Sequence, residues 1–438
     1  MNRIILIGNG FDLAHGLLTG YKDFINNYWR DFTQKTYAIF TPYEDKLVKF
    51  ETNGGPKNSY ESMCATKFGV KNEKGYNYDG IINIFRQELT KDSSYSNIKQ
   101  LITDFNEASD LQLNLLFKSK FFEHISKTTC LNTWLDIENE YYEQLKICVE
   151  IGDIQRTQQL NEDFEQIKNE LEKYLTEETK NTLYQERKIK GLIYKDFVPI
   201  DFTKNGIDKL IEEEYSDYLK GLGEEDEKTI ELHSHINELM NEEQIENARQ
   251  YFEVNIFNME SMYPKNILFL NFNYTNTSYK YLQENYFRNK NNTIHIHGEL
   301  NNRDNPIIFG YGDELDDDYL KIEKLNNNEY LKNVKSINYL KTKNYRKLLD
   351  FINTDYFQIF ILGHSCGNSD RTLLNTLFEH KNCVSIKPFY YKKSDGTDNY
   401  EEIIMNISRN FKDKAAFREK VVNKTDCEPL PQVKKSIT

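Results

Sequence analysis

Four short stretches bring together residue types that could do chemistry. The first is Gly8-Asn9-Gly10-Phe11-Asp12. Small residues before a helix let a phosphate approach the backbone, and the helix N-terminus favours an anion. The fingerprint G-x-G-x-x-G is incomplete, because Leu13 stands where the third glycine belongs, and no G-K-[ST] step follows. An ordinary tight strand–helix turn accounts for the glycines equally well. A carboxylate beside a diphosphate repels it, so Asp12 is expected either to cap the helix or to face ribose hydroxyls.

The second stretch is Asn271-Phe272-Asn273-Tyr274-Thr275. An asparagine offers an acceptor and two donors without charge, which suits a ribose hydroxyl or a water. The simpler reading is a turn that caps the next helix, a task Thr275 or Thr277 could also perform. The third stretch, Ile294-His295-Ile296-His297-Gly298, puts two histidines on one face of a strand. A metal would need more ligands, and the candidates taken from the following sequence are the acids Glu299 and Asp313. The alternative is that His297 alone reaches a pocket as a general base. His233 and His235 read as surface residues. In the fourth stretch, Gly363-His364-Ser365-Cys366-Gly367 matches the nucleophile elbow G-x-S-x-G. The histidine that follows, His380, and the acid Asp370 lie within the same helical segment, which makes a triad improbable. Ser365 and Asp370 therefore read as pocket-lining or cap residues. A fifth segment, Trp134 to Leu145, carries Asp136 and Glu140 on one helical face with Glu138 between them. A solvated acidic face is as good a reading there as a pocket.

Strands and helices must position these residues. Arg3 to Ile7, Ile267 to Leu270 and Phe357 to Leu362 are continuous apolar runs, as in strands buried on both faces. Thr293–His297, Pro306–Phe309 and Val384–Ile386 read as shorter strands. Helices are expected over about 328–352 and through Leu373, Leu374, Leu377 and Phe378. From about 45 to 255 strand signals are weak and helical periodicity dominates. Leu160, Phe164, Ile167, Leu171 and Leu175 form one apolar stripe, and Ile207, Leu210, Ile211, Tyr215 and Leu219 another. Acidic runs at Glu212 to Glu214 and Glu224 to Glu227 read as solvated. The expected fold is α/β, a doubly wound parallel sheet split by a large α-helical insertion. Residues 1–45 and 256–415 would make the discontinuous Rossmann-like domain, 46–255 the insertion, and 416–438 a polar tail. Ligands of such sheets bind beyond the carboxyl ends of the strands.

Composition narrows the class. The 438 residues carry a formal charge of -13, with 38% apolar and 13% aromatic residues. That supports a real core and makes nucleic acid a poor default partner. Six scattered cysteines form no C-x-x-C pair, so a zinc ribbon has no support. Neither a signal peptide nor a membrane span is visible, and a cytoplasmic location is expected.

Taken together, ILIGNGFDLAHGL, NTWLDIE, FLNFNYTNT, IHIHGEL, IIFGYGDE and ILGHSCGNSD resemble the AbiH family of bacterial abortive-infection proteins, over about residues 4–378. That family in turn looks like a distant relative of sirtuin-like proteins, which bind NAD on a split doubly wound sheet. Gly8 and Gly10 would match their glycine turn, Asn273 their asparagine, His297-Gly298 their H-G pair, and Gly363 and Ser365 their late turn. No zinc-binding cysteine quartet is present, against a protein deacylase. Asp12 and Thr275 depart from the usual residues. The resemblance implies anti-phage defence by NAD hydrolysis, with Asn273 and His297 catalytic. Gly8, Asn9, Gly10, Asp12, Thr275, Tyr311, Gly363, Ser365 and Asp370 would hold the substrate. NAD would be a substrate, with no metal. A phage-derived trigger and a homo-oligomer are further expectations. The rival readings are a non-catalytic nucleotide sensor, a serine hydrolase and a metal-dependent nuclease.

Overall fold

The branched apolar run near the N-terminus is strand β1 (Asn2–Ile7), buried along its whole length. The structure is a computed structural model that describes residues 1–36, 42–53, 93–108, 112–131, 136–180, 187–221, 263–282 and 290–433. Trp134, His233, His235 and Glu224 to Glu227 lie outside the described residues, as do the side chains of Tyr215 and Leu219. A small antiparallel sheet comes next in the chain, with β3 (Val48–Asn53) between β2 (Tyr43–Glu44) and β4 (Gln112–Phe117). The sequence reading gives this section no strand. The alternation of buried Val48 and Phe50 with Lys49 and Glu51 is short, and its partner β4 lies far along the chain.

Strands β5 (Asn266–Asn271), β6 (Lys290–His295), β7 (Phe357–Leu362) and β8 (Cys383–Phe389) join β1 in a five-stranded sheet ordered β6-β5-β1-β7-β8. Every pairing is parallel. Counted along this sheet the order is 3-2-1-4-5, so the chain reverses direction across the sheet between β1 and β7, at a topological switch point. Ile7 pairs with Asn271 and Leu362, and Asn271 with His295. The loops after four strands therefore leave the sheet at one level. Pro306–Phe309, expected as a strand, is loop. His297, expected within a strand, lies beyond the end of β6.

Fifteen helices are described: α1 (Asn9–Ala14), α2 (Tyr21–Lys35), α3 (Tyr95–Ala108), α4 (Lys120–Leu131), α5 (Ile137–Ile151), α6 (Ile154–Glu178), α7 (Arg187–Ile193), α8 (Lys204–Gly221), α9 (Asp317–Lys324), α10 (Asn328–Leu331), α11 (Lys335–Asn338), α12 (Asn344–Thr354), α13 (Arg371–Phe378), α14 (Tyr400–Arg409) and α15 (Lys414–Lys420). None is long and apolar enough to cross a membrane. Strand alternation decides which helix covers which face. Ile4, Leu6, Leu268, Leu270, Ile359 and Ile361 pack against α12, α13 and α14. Ile5, Ile7, Ile267, Phe269, Phe360 and Leu362 pack against α1 and α7, so a helix of the middle section completes the layer on the sheet.

The stripe Leu160 to Leu175 is buried in α6 and joins a second core with α2, α4 and α5. That core continues into Tyr274, Phe309 and Tyr311 at the carboxyl edge of the sheet. Residues expected as a peripheral tail are packed: Val421 bridges Ile386, Leu430 is buried with Phe389, and the Val433 N–H bonds the Ala14 carbonyl.

Candidate functional site

Two glycine turns meet at the switch point. The Gly8 N–H donates to Leu362 O at 3.2 Å, Gly10 N–H to Gly363 O at 2.7 Å, and Phe11 N–H to Gly8 O at 2.9 Å. A Cβ on Gly10 would stand 2.8 Å from Gly363 Cα, and one on Gly363 (φ 72°) 2.1 Å from Phe11 N. The glycines thus let two backbones touch. Three N–H groups of the expected phosphate cradle already have carbonyl partners. The side chain of Asn9 accepts from the Thr19 hydroxyl at 2.5 Å.

Helix α1 begins at Asn9 with Gly8 as its cap and no side-chain cap bond. Asp12 is therefore not the cap; it is buried inside the helix. The Thr275 hydroxyl donates to its Oδ2 at 2.6 Å, and its Oδ1 has no partner. Burial raises the Asp12 pKa to about 6, against the pull of the Thr275 hydroxyl. Asn273 ties the same elements together. Its Nδ2 donates to Gly8 O at 2.9 Å and its backbone N–H to Asn271 Oδ1 at 2.9 Å. None of Asn273, Thr275 and Thr277 caps a helix: the following 3-10 turn (Thr277–Tyr281) has Asn276 as its N-cap, without a side-chain cap bond.

Asp370 is the hub of a buried ion network. Its Oδ1 lies 3.2 Å from His297 Nε2 and 2.8 Å from Lys335 Nζ, and its Oδ2 lies 3.3 Å from His364 Nε2. The Cys366 N–H donates to His364 Nδ1 at 2.9 Å, so His364 carries its proton on Nε2 and donates to Asp370. Bonding to the same carboxylate likewise puts the His297 proton on Nε2 and leaves Nδ1 as the lone-pair nitrogen. Tyr339 Oη stands 3.1 Å from His297 Nε2, and the Phe272 ring packs edge-on against both histidines.

Lys335, wholly buried, also bonds Glu138 Oε2 at 3.0 Å, and Glu138 Oε1 accepts the Gly310 N–H at 3.0 Å. Asp136 is the N-cap of α5, accepting from the N–H groups of Glu138 and Asn139 at 3.1 Å each. It does not share a helical face with Glu140, which pairs with His124.

Burial sets the baseline for every charge here, and neighbours decide the outcome. Burial opposes the Asp370 charge, but Lys335, then His297 and His364, hold its carboxyl well below the usual range. Burial opposes the Lys335 charge too, and Asp370 and Glu138 outweigh it, raising the ammonium pKa. Burial first and Lys335 second bring His297 down to about 4. Glu138 is pushed up to about 7 by burial, with Lys335 resisting. Such perturbed groups in one place mark functional sites, though structural ion networks also show them.

Other expected residues lie elsewhere. Tyr311 stacks on Tyr142 at 3.7 Å, and its carbonyl accepts the Lys335 N–H at 2.8 Å. Ser365 is exposed just beyond the end of β7, whereas His380 packs against Phe357 at the strand's start. About 16 Å of strand separates them, which removes the serine-hydrolase triad. His295 turns away from His297, with Nδ1 3.3 Å from Asn273 O and its ring edge-on to Tyr279. Among the described residues, no group of three or more His, Cys, Asp or Glu is placed to hold a metal ion.

Three residues of the network escaped the sequence reading: His364, Lys335 and Tyr339. His364 lies within the fourth motif, directly before Ser365. Lys335 and Tyr339 lie in a polar helical stretch with no signature.

The fold and the site together define an α/β protein with a buried histidine–carboxylate centre at the switch point of a parallel sheet. The chain belongs to the AbiH family. The family model, described as bacteriophage abortive infection AbiH, matches residues 4–392 and indicates a role in anti-phage abortive infection. No curated protein and no solved structure matches the chain.

Proposed function

We propose that this abortive-infection protein hydrolyses the bond between nicotinamide and ribose in NAD, emptying the infected cell of the dinucleotide. The observation that supports this most is the meeting of the His297–Asp370 pair, Asn273 and the half-bonded Asp12 carboxylate beyond the carboxyl ends of the strands. Nicotinamide leaves as a neutral ring, taking the electron pair of the broken bond, so no strong acid is needed. Positive charge gathers on the ribose as an oxocarbenium-like centre. Water attacks the anomeric carbon and gives its proton to His297 Nδ1. Asp12 Oδ1 accepts from a ribose hydroxyl, with Thr275 fixing the other oxygen. Asn273, held by Gly8 and Asn271, orients the water.

The site is closed: His297 is 4%, Asp370 8% and Asn273 9% exposed. An active enzyme of this kind would harm its host, so we assign this state to rest and its opening to a phage-derived trigger. The same closure favours, as a second reading, a nucleotide sensor without catalysis.

Purified protein is incubated with NAD, alone and with lysate of phage-infected cells. Nicotinamide and ADP-ribose are expected with lysate, and His297→Ala is expected to lower the rate by ~10²–10⁴-fold. No nicotinamide under either condition, together with protection that survives Asn273→Ala, overturns the reading. Tight binding without turnover, with protection surviving His297→Ala, selects the sensor.

A further inference from the structure

A carboxylate against an imidazole favours the imidazolium, which cannot serve as a base. At this site the usual outcome is blocked by geometry. The Asp370 oxygen that faces His297 Nε2 at 3.2 Å also takes Lys335 Nζ at 2.8 Å. Two cations on one oxygen repel each other, and the ammonium is the stronger holder of a proton.

We propose that Lys335, held between Asp370 and Glu138, is a positioning residue that keeps His297 a neutral base. The inference rests on the reading of His297 as a base. The groups facing His297 come from every element around it. Helix α11 and the turn after it bring Lys335 and Tyr339, and the loop after β7 brings His364 and Asp370. Behind Lys335 and Asp370, helix α5 brings Glu138 with its cap Asp136, and the loop after β5 brings Tyr274 against these acids. Of these, Lys335 alone is a permanent cation.

Glu138 supplies the second anchor. A lysine stem is flexible, and one carboxylate would fix its ammonium only loosely. With Glu138 Oε2 at 3.0 Å and Oε1 tied to the Gly310 N–H, the ammonium is held from both sides. The protonation state of a base at the sheet edge thus depends on a helix of the middle section. A movement of α5 would shift Glu138 and with it the second anchor of the Lys335 ammonium.

The test is a pH titration of the full-length protein with ¹⁵N-labelled histidine, read by NMR, with His297 assigned from His297→Gln. Lys335→Met leaves two buried acids and risks misfolding, so the companion variant is Lys335→Met/Glu138→Gln, which removes one acid with the cation. In this double variant His297 is expected to titrate at least ~2 pH units higher than in the wild type. Lys335→Arg, which keeps a cation between the carboxylates, is expected to stay near wild type. An unmoved His297 titration in the double variant overturns the proposal, whatever the enzyme assay shows. A shifted titration with no nicotinamide release from the wild type keeps the positioning role and removes the proposed activity.

Discussion

Asp12 shows how a single buried carboxylate trades stability for position. Its Oδ2 is bonded by Thr275 and its Oδ1 by nothing, and burial lifts its pKa from 3.8 to about 6. The folded state therefore holds the Asp12 proton more tightly than the unfolded state. This contribution to stability is full below about pH 4 and is lost as pH rises through about 6. A shift of about two units is worth ~3 kcal/mol. Asp12→Asn keeps an oxygen for Thr275 and cannot ionise. It is expected to match wild type in urea at pH 4 and to exceed it by ~1–3 kcal/mol at pH 8, while abolishing phage protection. Equal stability at pH 8 would show that Asp12 carries no burial penalty. Lys335→Met alone is expected to cost ~3–5 kcal/mol in the same measurement, because two buried carboxylates lose their cation. Site residues on strand ends were legible in the sequence, because Asn273 and His297 follow apolar runs that end abruptly. Lys335 was not, and for Glu138 a pocket and a solvated face were equally good readings. A lone charge in a helical stretch has the pattern of a solvated face, and only tertiary packing shows it buried.

At the scale of elements, the contact between the turns after β1 and β7 fixes the site. Gly363 adopts φ 72°, and a Cβ there would lie 2.1 Å from Phe11 N. Gly363→Ala is expected to cost at least ~2 kcal/mol, read as a lower urea midpoint with unchanged slope. Gly396 offers the control. It has φ 88° with nothing within 4 Å of a new Cβ, so Gly396→Ala is expected to cost only ~1 kcal/mol of backbone strain. Similar losses at both positions would mean that the turns do not need close contact. The strands β1, β5 and β7 were legible because burial on both faces leaves no polar alternation. The three-stranded sheet was not, since its alternation runs over so few residues. Helix α7 was not placed on the sheet, because its short run Ile189, Leu192, Ile193 names no partner.

The whole molecule couples two cores through the site. Phe164 of α6 stacks on Phe309 at 4.4 Å, and Tyr142 of α5 stacks on Tyr311 at 3.7 Å. These contacts tie the helices of the middle section to the loop that carries Gly310, a partner of Glu138, and the Tyr311 carbonyl that takes the Lys335 N–H. A signal that shifts α5 or α6 therefore reaches Lys335 directly. The formal charge of -13 sharpens the question of substrate entry, since the N–H groups of Gly8 and Gly10 are bonded within the fold. An acidic chain gains no long-range attraction for an anionic dinucleotide. The most direct measurement is mass spectrometry of NAD and nicotinamide in cells through a phage infection, with wild-type protein or His297→Ala. NAD is expected to fall and nicotinamide to rise after infection only with the wild type. Unchanged NAD in protected wild-type cells would contradict the proposed activity.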